Sequence, residues 1–238
     1  MRRLVLAIQF LTRLPMPRVI ADDRDFAASI RWFPSAGLAV GALVCGAGWI
    51  GVQLDVWTGA LLALIGWLWV TGALHLDGLA DLADASGAVH KGPDRLRAVL
   101  ADPHVGAMGA TAVAVQVAAK LVLLHGLLEQ RAWVALILIP FAARIGPLAW
   151  SRCLPPLHDG LGARFRHAVR PIDLLFWAVL LLAASWFAPA LLVAPLLILL
   201  WAWKLRRLMG GISGDGHGAG IELVESGLLL ATLIAGRF

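Results

Sequence analysis

The chain has 238 residues, of which 60% are hydrophobic and only 15% charged, with a mean hydropathy of +0.82. Soluble domains sit nearer half apolar and a quarter charged, which excludes a water-soluble globular fold and leaves room for six or seven helical crossings of about 20 residues each. The net charge of +5 invites a nucleic-acid partner, but in a membrane chain basic residues serve orientation first.

The expectation is one integral membrane domain over 1–238, an all-α polytopic bundle of six to seven transmembrane helices. The start, Met1-Arg2-Arg3 followed by Leu4 to Leu11, runs into Thr12-Arg13-Leu14-Pro15 without a small-residue cleavage site. That pattern reads as an amphipathic helix in the membrane interface rather than a cleaved signal. Apolar runs predict crossing helices at about 35–53, 56–75, 105–128, 132–150, 172–188 and 190–203, and a shorter one at 221–236. Within the first, Gly37-x-x-x-Gly41 is a helix-packing face. The fifth and sixth are divided only by Pro189, as in a tight hairpin. Cys45 lies in an apolar run and Cys153 in a basic loop, so no disulfide framework is expected.

With the N-terminus in the cytoplasm, sixteen of the twenty basic residues fall on the inner side, from Arg2 and Arg3 through Arg152 to Lys204, Arg206 and Arg207. Only Arg131 and Arg237 lie outside, while Lys120 and Arg144 fall within spans. The basic surplus is therefore topological, and no nucleic-acid partner is expected. The tryptophans fit two interfacial belts, with Trp49, Trp57, Trp133 and Trp186 outside and Trp32, Trp150, Trp177, Trp201 and Trp203 inside. Trp67 and Trp69 read as mid-span packing.

The acids then stand out. Asp77, Asp81 and Asp84, in His75-Leu76-Asp77-Gly78-Leu79-Ala80-Asp81-Leu82-Ala83-Asp84, are spaced i, i+4, i+7. That spacing places three carboxylates on one face of a helix continuing from the second span. Their neighbours are Leu, Ala and Gly with no interleaved base, so a divalent cation suits this face better than a plain solvated helix end. Oxygen-only donors favour Mg²⁺ or Mn²⁺. His75 adjoins them in a packing or a chemical role. Asp102-Pro103 leads into the third span, where Asp102 alone would read as an N-cap.

A second group lies in the glycine-rich stretch 210–225, with Gly214 and Asp215 in a loop suited to phosphate and Glu222 and Glu225 one turn apart at the start of the last span. Read plainly, these acids stabilise a helix N-terminus; read chemically, they form a second acidic group on the same side as the first. Lys120 and Arg144 are basic groups inside apolar spans. Lys120 either snorkels or binds a carboxylate or phosphate, and Arg144, before Gly146-Pro147, fits an anion.

These residues carry a close resemblance to the cobalamin synthase family, the adenosylcobinamide-GDP ribazoletransferases. The matching pieces are Phe10-Leu11-Thr12-Arg13-Leu14-Pro15, Phe33-Pro34-x-x-Gly37-Leu38, His75-Leu76-Asp77-Gly78-Leu79-Ala80-Asp81 with Asp84, Asp102 with the following glycines, and Gly210-Gly211 with Gly214-Asp215, Gly218-Ala219 and Ile221-Glu222-Leu223. They run in order over nearly the whole chain. The resemblance implies that α-ribazole or its 5′-phosphate displaces GMP from adenosylcobinamide-GDP with Mg²⁺, in a multi-pass protein of the cell inner membrane whose site faces the cytoplasm.

Carried onto this chain, it implies Asp77, Asp81, Asp84 and Asp102 in catalysis, and Asp77, Asp81, Asp84, Asp215, Glu222 and Glu225 around metal. Arg13, His75, Lys120, Arg144, Gly214 and Asp215 would bind substrate. The partners implied are the two small-molecule substrates and the lipid bilayer, and a homo-oligomer stays open. His104, Met108, Ser213 and His217 depart from the family pattern, and 154–170, with His158 and His167, matches none of its motifs. Two other readings are weaker. CDP-alcohol phosphotransferases also carry an Asp-rich membrane motif, but Asp81 stands where they have Arg. A transporter would place acids near mid-membrane and show an internal repeat.

Overall fold

A computed structural model of the protein describes residues 1–88, 104–157 and 160–237. Among these, the chain is helical apart from a single bridge between Pro156 and Ile212. The helices are α1 (Arg2–Leu11), α2 (Asp23–Ser29), α3 (Phe33–Gly51), α4 (Val56–Thr71), α5 (Leu74–Ala88) and α6 (Ala107–Glu129). They continue as α7 (Trp133–Ala143), α8 (Gly146–Cys153), α9 (Leu161–Arg166), α10 (Pro171–Ser185), α11 (Ala194–Leu208) and α12 (Gly214–Ala235). Five stretches are long and apolar enough to cross a membrane: Asp23–Gly51, Ala107–Glu129, Trp133–Cys153, Pro189–Leu208 and Gly214–Ala235. α10 is apolar but shorter, and α4 with α5 reaches such a length only as a bent pair. The polytopic helix bundle expected from composition is the fold.

Local signals set the helix ends. Asp55 caps α4 by accepting the N–H groups of Trp57 and Thr58, and Pro34, Pro147 and Pro171 open α3, α8 and α10 where a missing N–H costs nothing. The glycine face of α3 packs as expected. A Cβ on Gly37 would strike the backbone of Pro140 and Phe141, and one on Gly41 that of Ile137, so α3 and α7 meet backbone to backbone. The hairpin around Pro189 is also present, with a 3-10 turn over Pro189–Val193 feeding α11.

Three expectations need correction. The second span does not continue into the carboxylate face. Gly72 (φ 60°) and Ala73 (φ 59°) adopt left-handed backbone, their N–H groups close onto the carbonyls of Trp69 and Leu68, and α5 leaves at 84°. Gly72 is also where the Arg13 side chain crosses the backbone, leaving no space for a Cβ. The glycine-rich stretch is not a loop, because α12 begins at Gly214, seven residues before the expected 221, with Ser213 capping it through Gly216 N–H at 3.1 Å. Its glycines admit neighbours: a Cβ on Gly218 would lie 3.3 Å from the Cα of His75, and one on Gly220 would strike Trp150 and Trp201.

The third correction concerns tryptophan. Trp150, Trp177 and Trp201 are buried, their indole N–H groups donating to the carbonyls of Ile198, Arg31 and Gly216, while Trp69 is exposed on the outer surface of the bundle. Trp67 is fully buried, as its mid-span reading required.

Candidate active site

The site is built where α5 lies across the first turns of α12. Their close approach depends on Gly78, since a Cβ there would sit 2.9 Å from the Cα and carbonyl oxygen of Asp215. The contact brings Asp77 of α5 and Asp215 of α12 to the mouth of one cavity of about 100 Å³. Asp77 is exposed and Asp215 half-buried, whereas His75, two residues before Asp77, and His217, two after Asp215, are buried in the same cavity. Phe10, Phe33 and Phe165 form its apolar wall, with ring centroids 5.6 to 6.3 Å apart.

Asp81 is half-buried one turn beyond Asp77 on α5, the arm turned away from the long crossing helices. Burial, followed by the charges of Asp215, Asp77 and Asp84, pushes its carboxyl up to about 6. Asp84 takes a structural share as well. It accepts the N–H groups of Gly106 and Gly109 at 2.7 and 2.9 Å, anchoring α5 to the start of α6, where glycine is needed because a Cβ at Gly109 would meet that carboxylate. Asp102 lies outside the described residues. Arg13 is exposed at the corner between α4 and α5, its N–H bonded to the carbonyl of Val70 at 2.7 Å.

Glu222 and Glu225 do not join the aspartates and meet buried bases instead. With α12 starting at Gly214 they fall near the middle of a 22-residue helix, where charge must be matched from within. Lys120 Nζ lies 2.8 Å from Glu222 and 2.6 Å from Glu225, and Arg144 Nη1 lies 2.5 Å from Glu225. Of the two partners open to these cations, carboxylate or phosphate, both are engaged with carboxylate. Trp67 supports Lys120 Nζ from 4.3 Å below its ring, and Gln116 donates to the side chain of Glu222 at 2.9 Å and to its carbonyl at 3.0 Å. Two bases and two acids balance, all of them buried.

Sequence reasoning missed two parts of the site and one of the interior ion-pair group. His217 stood out only as a departure, although a histidine between glycines in an apolar helix is a signal of its own. Phe165 lies in the stretch that matched no motif. It reaches the cavity because Leu157 N–H and Ile212 N–H bond reciprocally to the carbonyls of Ile212 and Pro155, tying the stretch to the start of α12. Gln116 carries no charge, so nothing marked it.

Among the described residues no three His, Cys, Asp or Glu side chains converge closely enough to hold a metal ion by themselves. The donor set still fits Mg²⁺. That ion keeps several waters and takes one or two carboxylates together with substrate phosphates, which Asp77, Asp81 and Asp215 can supply without a closed cage.

Comparison with known proteins gives the family. The family described as cobalamin-5-phosphate synthase matches residues 3–233. An adenosylcobinamide-GDP ribazoletransferase of Novosphingobium aromaticivorans is 62% identical over 240 residues, covering 99% of this chain and 98% of that protein. Those of Laribacter hongkongensis and Thiobacillus denitrificans are 50% and 47% identical, covering 100% and 97% of this chain and 98% and 94% of their own. No solved structure matches. The chain belongs to the cobalamin-5-phosphate synthase family.

Proposed function

We propose that this protein joins adenosylcobinamide-GDP to α-ribazole or its 5′-phosphate, releasing GMP, at the junction of α5 and α12. The observation that carries this reading is the meeting of Asp77 and Asp215, from two helices far apart in sequence, at the mouth of one cavity lined by aromatic rings and imidazoles. A ribose hydroxyl attacks the cobinamide-bearing phosphorus, one P–O bond forms, and the bond to GMP breaks in line. The proton lost by the hydroxyl passes to a carboxylate of the α5–α12 group, for which Asp77, Asp81 and Asp215 are within the same cluster.

Phosphate oxygens cannot approach four carboxylates unaided. Asp77, Asp81 and Asp215 would hold Mg²⁺, which would neutralise the charge that grows on the leaving group. Arg13, exposed at the α4–α5 corner, is a basic side chain suited to the remaining oxygens. The positive-inside bias supports an N-terminus and a site on the cytoplasmic side of the inner membrane.

The test supplies purified membranes with adenosylcobinamide-GDP, α-ribazole phosphate and Mg²⁺ and follows GMP and a corrinoid product. No GMP above a protein-free control defeats the proposal. Maleimide labelling of intact cells should miss the exposed Cys153, and its modification from outside would reverse the orientation.

A further inference from the structure

The cavity behind the carboxylates has a chemistry of its own. Its mouth is acidic and its wall aromatic, but its depth holds two imidazoles that the protein does not use fully. Neither ring nitrogen of His75, which is 2% exposed, has a hydrogen-bond partner among the described residues, and the same holds for Nδ1 of His217. Buried polar atoms of this kind are rare in native proteins and call for a partner that arrives from elsewhere. An imidazole carries an N–H on at least one ring nitrogen in every protonation state, so His75 always has a donor to give.

We infer that this cavity seats the benzimidazole base of the ribazole nucleoside, with an N–H of His75 donating to the one ring nitrogen that the glycosidic bond leaves free. The assignment deepens the proposed transferase reading and rests on it for the identity of the nucleoside. Three observations select this base over the guanine of the other substrate. The wall of Phe10, Phe33 and Phe165 offers ring faces and edges, and His217 adds a further ring, 6.3 Å from Phe165 and 6.0 Å from Trp150.

Guanine, the second point, presents several donors and acceptors along its edges, and most of them would be left unmatched against such a wall. Benzimidazole needs a single donor, and a single side chain with both nitrogens unengaged stands at the depth. The third point is position. A base held at this depth points its ribose toward Asp77 and Asp215 at the mouth, which is where the attacking hydroxyl has to be.

The test is direct binding to the purified full-length protein in detergent, without turnover, comparing α-ribazole with its indole analogue, in which C–H replaces the free ring nitrogen. Wild-type protein should bind α-ribazole at least about tenfold tighter, because the analogue leaves the buried N–H unmet. In His75→Phe, which keeps the ring and removes the donor, the two nucleosides should bind equally. In turnover, His75→Phe should raise KM for α-ribazole and leave KM for adenosylcobinamide-GDP unchanged.

Equal binding of the two nucleosides by wild-type protein overturns the assignment without recourse to any variant. So does displacement of α-ribazole by guanosine, which would give the cavity to the leaving group. A protein that discriminates the nucleosides but releases no GMP upholds the cavity assignment and defeats the transfer reaction. GMP release without discrimination does the reverse.

Discussion

Asp215 and Glu225 stand on one helix, less than three turns apart, and meet opposite company. Around Glu225 the protein supplies its own counter-charges: Lys120 and Arg144 balance Glu222 and Glu225, and Trp67 and Gln116 hold that group in place. Around the aspartates of α5 the groups acting on the half-buried Asp81 are burial and further carboxylates, and among the described residues no cation pairs with Asp77, Asp81 or Asp84. Both groups are acids in an apolar chain, where an unmatched charge is costly. What separates them is who balances the charge. Where the described residues do so, as at Glu225, the acids serve as structure; the α5 aspartates, with no described cation beside them, are where the proposed charged ligand would sit.

The contrast breaks first at Asp81. Asp81→Asn removes a charge from a repulsive group and leaves the volume unchanged, so the protein should insert and unfold as before. GMP release should fall by about 10³-fold, the scale of losing one electrostatic contact in phosphoryl transfer. Parallel assays of turnover and of detergent-solubilised thermal unfolding check both halves, and an active variant would detach α5 from the chemistry.

Glu225→Gln should do the reverse. It leaves Lys120 and Arg144 with a single buried carboxylate between them, at a cost of about 3–5 kcal/mol, read as a large drop in unfolding temperature or in yield of inserted protein. Replacing a partner at the same time, as in Glu225→Gln with Arg144→Met, should recover part of that loss, since the unmatched charge goes with its acid. Unchanged stability in Glu225→Gln would dissolve the distinction between the two groups.

The sequence made this distinction only halfway. Composition and apolar runs exposed the bundle because lipid imposes long, nearly uncharged helices, and the glycines at 37 and 41 exposed one packing face. Three aspartates at helical spacing announced themselves for the same reason, being rare charges on an apolar background. What misled was the reading of glycine.

At 210–220 glycines suggested a loop, whereas Gly218 and Gly220 let α5, Trp150 and Trp201 approach a continuous helix. That error displaced the start of α12 by seven residues and brought Glu222 and Glu225 to the interface instead of the interior. Pairing was equally hidden, since Lys120 and Glu225 are 105 residues apart. The stretch carrying Phe165 was silent because its role depends on backbone bonds to Ile212, which no local pattern encodes.

Packing variants give smaller effects on the same two regions. Gly41→Ala drives a methyl into the backbone of Ile137 on α7, the helix that ends at Arg144. A cost of about 2 kcal/mol is expected, with little change in KM for either substrate, because the strain falls on the balanced side of the molecule. A selective rise in one KM would show that the interior group speaks to the site.

The smallest effect belongs to the elbow that turns α5 away from α4. Ala73 holds φ at 59°, where an alanine Cβ crowds its own backbone and glycine does not. Ala73→Gly should therefore stabilise the protein by about 1 kcal/mol, visible as a modest rise in unfolding temperature. The elbow also aims His75 and Asp77, two and four residues on, at the cavity. Relieving it need not help catalysis: if the strain serves to fix that aim, turnover falls while stability rises. If both rise together, the left-handed alanine is a plain cost, and Gly78 and the Asp84 contacts with Gly106 and Gly109 alone hold the arm in register.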